Sequence, residues 1–275
     1  VDVAPDAVDE TSGMLFELGA SGVEERDDTT LAKSAASGKV TLVASFETRE
    51  EAEGAIAEID PSLAPRYEEI VGDAWRDAWK EHFRPFAIAE GIVIRPPWEK
   101  YEAKPGESVL ELEPGRAFGT GLHETTRLVA RALASCGRLR DATVIDVGCG
   151  SGILALVALA LGAARAIAID NDPEAIEVTN ENAARNGVVG RLHASITPLE
   201  SLDEIAPVVV ANIEARVLIP MAPALQRHVS PGGILLLSGI LVTQKDDVRA
   251  AYPDMKLLEA PVLGEWALLA LERTG

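Results

Sequence analysis

The fold is decided by Thr143-Val144-Ile145-Asp146-Val147-Gly148-Cys149-Gly150-Ser151-Gly152-Ile153. Five residues suited to a buried strand run into a turn with glycine at every second position. An apolar run to Leu161 then reads as a helix. In a strand–turn–helix crossover the loop passes beneath a ligand, and glycine lets the backbone approach without a Cβ in the way. The dinucleotide fingerprint GxGxxG fails here, because its third glycine would fall at Ile153. What remains is GxGxG preceded by an acid. That is the pattern of S-adenosylmethionine sites, where no pyrophosphate needs a helix N-terminus. Gly148 and Gly150 are accordingly expected to bind the cofactor.

Working outward, the next strand, residues 166–170, ends on Asp170, 22 positions after Gly148. An acid there can accept both ribose hydroxyls of an adenosine. The competing reading is an N-cap for the helix over 173–186, a task better suited to Asp172, which directly precedes Pro173. A third apolar strand, 208–212, ends on Asn212, at the sheet edge where ligands of open α/β sheets sit; the alternative is a simple cap of the strand end. Helices over 125–135 and 152–161, around 219–228 and over 244–251, with strands at 143–147, 234–238, 256–259 and 266–271, complete the series. Strands apolar on both faces and separated by helices call for a parallel sheet covered on both sides. The expected fold class is α/β, a doubly wound (Rossmann-like) methyltransferase domain.

Upstream the rhythm is shorter. Strand 1–4, helix 7–18, strands 22–25 and 40–46 and helix 50–59 give the order β-α-β-β-α, which predicts a small α+β, ferredoxin-like module. Trp75, Trp79 and Phe83 recur every four residues and read as the packing stripe of a connecting helix. Strands follow at 92–94 and 109–112. The predicted division is a substrate-recognition domain at 1–65, a linker helix with connector strands at 66–112, and the catalytic domain at 113–275.

Composition narrows the function. Hydrophobic residues make up 47% of 275, so material for a core is ample, and the formal net charge is −19. Such a surface repels phosphate backbones, and no basic run offsets it, so direct nucleic-acid binding is not expected. Solubility alone accounts for the acidity, while a basic macromolecular partner is the functional alternative. Cys136 and Cys149 form no disulfide framework, the N-terminal residues do not read as a signal peptide, and the longest apolar run, 153–169, is too short to span a bilayer. A cytoplasmic protein away from the membrane is expected. His82, His193 and His228 show no metal-ligand spacing, and Cys149 has no visible partner for nucleophilic chemistry.

Four segments together resemble the PrmA family: Glu113 to Thr126, which contains PheGlyThrGlyLeuHisGluThrThr; Val144 to Ala155; AlaAsnIle at 211–213; and ProGlyGlyIleLeuLeuLeuSerGlyIleLeu at 231–241. The connector Ala74 to Phe86 is also similar, and LeuPheGluLeuGlyAlaSerGlyVal at 15–23 carries a looser likeness. Arg116, Leu122 and Glu124 depart from the family pattern, where an apolar residue, Thr and Pro are expected. The resemblance implies transfer of methyl groups from S-adenosylmethionine to lysine side chains and the N-terminal amine of ribosomal protein eleven of the large subunit, a basic partner. It also implies cofactor contacts from Thr126, Gly148, Asp170 and Asn212, with the PheGlyThrGly loop and His123 over the reaction centre. His123 is the one candidate general base in that loop; a loop-shaping hydrogen bond is the alternative. A related protein-lysine methyltransferase with another acceptor, or a non-catalytic cofactor-binding module, are the rival functions. A nucleic-acid amino-methyltransferase is discounted, because Arg95-Pro96-Pro97-Trp98 has the wrong first residue and lies upstream.

Overall fold

Alternate residues of each long strand point to opposite faces, and in the larger part of the chain both faces are buried. Val144, Val208, Val210, Ile234, Leu236 and Leu268 enter one core. Ile145, Val147, Val209, Leu235, Leu237 and Leu269 enter another. Such two-sided burial needs helices on both sides of one sheet. The computed structural model describes residues 1–20, 22–26, 39–46, 48–67, 83–113 and 119–274. The chain divides into two compact units, Val1–His82 and Phe83–Gly275.

In the first unit the described elements are β1 (Asp2–Val3), α1 (Val8–Glu17), β2 (Gly22–Arg26), β3 (Val40–Ser45) and α2 (Arg49–Glu58). The sheet order is β1-β3-β2, antiparallel throughout, so β3 lies between the two strands joined by α1. This is a split β-α-β arrangement. A capping box between Thr48 and Glu51 starts α2. Val3, Leu15, Ala20, Leu42 and Ile59 form a small core. Among the described residues no fourth strand extends this sheet. Trp75 and Trp79 lie outside the described residues; Phe83 is buried, edge-on to Phe86.

The second unit opens with β4 (Phe86–Ala89), β5 (Ile92–Arg95) and β6 (Ser108–Glu111). β4 and β5 pair antiparallel, and β6 adds in parallel. Asn186 ties β6 to the rest of the unit: its side chain accepts from the Glu111 amide at 2.9 Å and donates to the Glu111 carbonyl at 2.7 Å. Then come α3 (Glu124–Ser135), β7 (Thr143–Val147), α4 (Ile153–Ala160), β8 (Arg165–Ile169), α5 (Pro173–Arg185), β9 (Leu192–Ser195), β10 (Ala206–Asn212), α6 (Ala215–Leu218), α7 (Ala222–His228) and β11 (Val229–Leu241). The unit closes with α8 (Lys245–Ala250), β12 (Met255–Glu259), β13 (Val262–Leu263) and β14 (Trp266–Arg273).

The main sheet runs β12-β14-β11-β10-β7-β8-β9, with β13 on β14. From β9 to β11 every pairing is parallel, and β14 enters antiparallel between β11 and β12. Chain order reverses between β7 and β10, so the loops after these two strands diverge and leave a crevice at their carboxyl ends. The sequence reading anticipated the doubly wound sheet; β4, β9 and β13 escaped it. A buried hydroxyl fixes the sheet's second face: Tyr252 is fully buried and donates to the Leu218 carbonyl at 2.8 Å, joining the chain after α8 to α6. Tyr252→Phe should leave that carbonyl unpaired and lower the unfolding free energy by about 1–3 kcal/mol. Urea denaturation of the two proteins measures the difference, and the m-value should not change.

Candidate functional site

The turn after β7 has a shape only glycine accepts easily. Gly148, Gly150 and Gly152 have φ of +70°, +53° and +76°. The turn is also crowded. A Cβ on Gly148 would lie 2.4 Å from Ile213 Cγ2, and one on Gly152 would lie 2.8 Å from Thr179 Cγ2. The Gly148 and Cys149 amides donate to the Ile169 carbonyl at 2.8 and 3.1 Å. From α5, Thr179 donates to the Gly150 carbonyl at 2.9 Å, and the Asn182 side chain donates to the Ser151 carbonyl at 2.9 Å. Glycine spacing located the loop; nothing in the sequence reading singled out Thr179, Asn182 or Ser151. Their signal is position: Thr179 and Asn182 are polar residues on the buried face of α5.

Asp170 stands just past β8. Its Oδ2 accepts from the Gly150 amide at 2.9 Å and its Oδ1 from the Asp172 amide at 3.1 Å. The N-cap of α5 is Asp172, which accepts from Glu174 at 2.9 Å, so the capping alternative for Asp170 falls away. Each Asp170 oxygen keeps a lone pair for a further donor.

Asn212 and Thr126 come together at the end of β10, where the Asn212 amide nitrogen donates to Thr126 Oγ1 at 3.5 Å. Asn212 Oδ1 is buried with no partner, and so is Asp146 Oδ1 on neighbouring β7. The second Asp146 oxygen accepts from the Ala155 amide at 3.1 Å. Two unpaired buried acceptors at the carboxyl ends of adjacent strands, beside a glycine turn, suit a ligand bearing N–H donors and positive charge. The sulfonium and ammonium groups of S-adenosylmethionine have that character, and Asp170 offers the acceptor a ribose needs. The residues present therefore fit the cofactor.

His123 begins α3. Its Nδ1 accepts from the Thr125 amide at 3.4 Å and lies 2.8 Å from Thr125 Oγ1, while its ring packs edge-on to Trp266 at 4.9 Å between centroids. His123 is thus the N-cap residue of α3. Residues 114–118, including Arg116 and Phe118, lie outside the described residues. Cys149 is buried, its Sγ 3.6 Å from Thr179 Oγ1, and burial pushes the thiol well above its usual range, which leaves it unreactive. Among the described residues no cluster of three or more potential metal ligands occurs, and no helix is long and apolar enough to cross a membrane.

The buried Asp146 makes a test. Burial pushes its pKa up to about 7; the Ala155 amide opposes the rise and the Asp170 charge adds to it. The folded state then holds this proton at pH values where the unfolded chain has lost it. Stability should therefore fall as pH rises between the unfolded and folded pKa values, by up to ~1.4 kcal/mol per pH unit from this one group. In Asp146→Asn that slope should vanish, and urea melts from pH 4.5 to 7 would reveal it. Parallel slopes in the two proteins would show that Asp146 is ionised throughout.

The family profile described as "Ribosomal protein L11 methyltransferase (PrmA)" matches residues 1–274. A ribosomal protein L11 methyltransferase of Sorangium cellulosum (strain So ce56) is 59% identical over 260 residues, covering 93% of this chain and 82% of that one. Another, from Citrifermentans bemidjiense, is 38% identical over 297 aligned residues, covering 99% and 96%. The crystal structure of a ribosomal protein L11 methylase from Lactobacillus delbrueckii subsp. bulgaricus superposes with a TM-score of 0.65 at 31% identity, covering 70% of this chain and all of that one. With this sheet order, this glycine turn and these relatives, the chain belongs to the PrmA family of ribosomal protein L11 methyltransferases and is an S-adenosylmethionine-dependent protein methyltransferase.

Proposed function

We propose that the acceptor is ribosomal protein L11 and that the methylated groups are lysine side chains and the N-terminal amine. The observation that carries this reading is the family match along the whole chain, N-terminal unit included. It is supported by the charge of −19, which favours a lysine-rich partner over a nucleic acid.

In this reading Gly148 and Gly150 lie against the cofactor, Asp170 accepts from its ribose, and Thr126 and Asn212 line its methionine end. The bound cofactor supplies a methyl group on a sulfonium centre, already activated for displacement. What the protein must add is alignment, which can be worth roughly 7–11 kcal/mol relative to reaction in water. It must also supply a neutral amine. A lysine of pKa about 10.4 is only ~0.04% neutral at pH 7, and holding it so costs about 4.6 kcal/mol without help. The Asn212 carbonyl oxygen, buried and unpaired, supports this reading as an acceptor for the cofactor's ammonium group. His123, in the PheGlyThrGly loop, is the residue we assign to receive the proton. Its Nδ1 lies against Thr125 at the start of α3.

The division of labour follows the motifs. Residues 1–65 select the substrate, 66–112 connect, and 113–275 hold the cofactor and perform the chemistry. The chain is read as a cytoplasmic enzyme that makes no direct contact with nucleic acid.

Incubating the protein with purified L11 and methyl-labelled cofactor tests the acceptor directly: label should appear in L11, on lysines and the N-terminus. Label confined to other proteins when cell extract is used would reject it. Asp170→Ala should weaken cofactor affinity by about 1–3 kcal/mol through loss of a charged acceptor. Calorimetric titration of a folded variant measures this, and an unchanged Kd would remove Asp170 from the site. A chain lacking residues 1–65, shown to be folded by its thermal transition, should bind cofactor yet lose most L11 methylation. Wild-type turnover by that chain would place selection elsewhere.

A further inference from the structure

The loop that carries His123 does not stand alone. The Ser151 hydroxyl, on a side chain only 3% exposed, donates to the Gly119 carbonyl at 2.6 Å. A Cβ on Gly119, whose φ is +102°, would lie 3.0 Å from that hydroxyl. Two residues on, a Cβ on Gly121 would lie 2.7 Å from Ile153 Cδ1 and 3.1 Å from the Phe86 ring. The 119–121 segment is thus seated on the start of α4, and Ser151 joins it to the glycine turn by a side-chain hydrogen bond. From the other side the Ser151 carbonyl is held by Asn182 of α5. A continuous path leads from α5 through Ser151 to Gly119, and by four residues of chain to the His123 cap of α3.

We propose that Ser151 is a positioning residue that couples cofactor occupancy to the order of the 119–123 loop, so that filling the glycine turn prepares the acceptor side of the site. The inference rests on reading Gly148 to Gly152 as the cofactor turn. Physically, a ligand lying on the turn removes its freedom, and a hydroxyl fixed to the turn passes that restriction to the Gly119 carbonyl. The buried hydroxyl has no bulk water to replace this partner, so the turn and the loop settle together. Coupling of this kind is reciprocal: an acceptor that orders 119–123 tightens the cofactor's hold. The enzyme would then favour binding the cofactor before the acceptor. Ser151 touches neither reacting group in this scheme and acts through Gly119.

Hydrogen exchange tests it without any acceptor, using S-adenosylhomocysteine, the demethylated product, as ligand. In the wild type the ligand should slow exchange at residues 148–152 and also at 120–122. In Ser151→Ala, protection at 148–152 should persist while protection at 120–122 is lost. With L11 as acceptor, kcat of the variant should fall by at least ~10-fold while KM for S-adenosylmethionine moves by less than ~3-fold, within the usual range of coupling energies. Retained protection at 120–122 in the variant, or an unchanged kcat, would overturn the proposal. Loss of protection at 148–152 as well would also overturn it, because Ser151 would then merely hold the turn. A wild type that shows no protection at 148–152 would sink both this inference and the cofactor reading.

Discussion

The Gly150 amide donates to the Asp170 carboxylate, and much of the larger unit is arranged so that these two groups can meet. The contact requires β7 and β8 to be parallel neighbours in register, so that both strands end at the same edge. It requires a backbone turn at positive φ on alternate residues, which side chains with a Cβ adopt only with strain. It also requires α5 to lie close enough for Thr179 and Asn182 to take the turn's carbonyls. Gly152 is the counterpart of that closeness: a Cβ there would press into Thr179, so the helix and the turn define each other's distance. The constraint extends across the crevice. Ile213 packs its side chain against Gly148 and its backbone against Gly239, whose Cβ would fall 2.5 Å from the Ile213 carbonyl oxygen. The loops after β7 and β10 and the irregular stretch of β11 are thereby held close by glycines.

The same edge has an electrostatic character of its own. It gathers Asp146 and Asp170, and among the described residues the ion pairs lie elsewhere, as between Arg95 and Glu111, Arg185 and Glu113, or Arg138 and Glu272. A buried carboxylate without a cationic partner costs stability unless it is protonated or meets a donor. The cost is tolerated at Asp146, where the Ala155 amide supplies partial relief and a ligand with positive charge would supply the rest.

How much of this was legible depends on how local the cause is. The glycine turn, Asp170 and Asn212 stand at the ends of apolar strands, so spacing along the chain was enough to select them. The main sheet was legible for the same reason: strands buried on both faces read as unbroken apolar runs. β9, whose His193 is exposed, and the short β13 have only four and two residues and carry no such run. β4 is hidden for another reason: it pairs through a bulge between Ala87 and Ala89, which breaks alternation. Ser151, Thr179 and Asn182 could not be selected from spacing, because what matters is which backbone carbonyl each reaches across the fold. His123 shows the limit most plainly. Its place in the PheGlyThrGly segment marked it, and its contact with Thr125 makes it the cap of α3, which spacing alone does not reveal. The extended connector was partly legible as strands at 92–94 and 109–112. Its attachment to the rest of the larger unit, through core residues such as Ile88, Ile94 and Leu112 and through Asn186, 75 residues from its partner Glu111, is set by the fold and leaves no local mark.

The insertion of β14 between β11 and β12 bears on how the molecule is made. β12 and β13 precede β14 along the chain, yet each is joined to the sheet only through it. While a ribosome is still extending the chain through residue 265, β11 shows an open edge and β12 has nothing to pair with. Residues 266–273 have to pair with β11 before β12 and β13 can join the sheet. This end of the sheet therefore forms only once the last strand is available, and until then β11 carries an unpaired apolar edge, the kind of surface that chaperones hold.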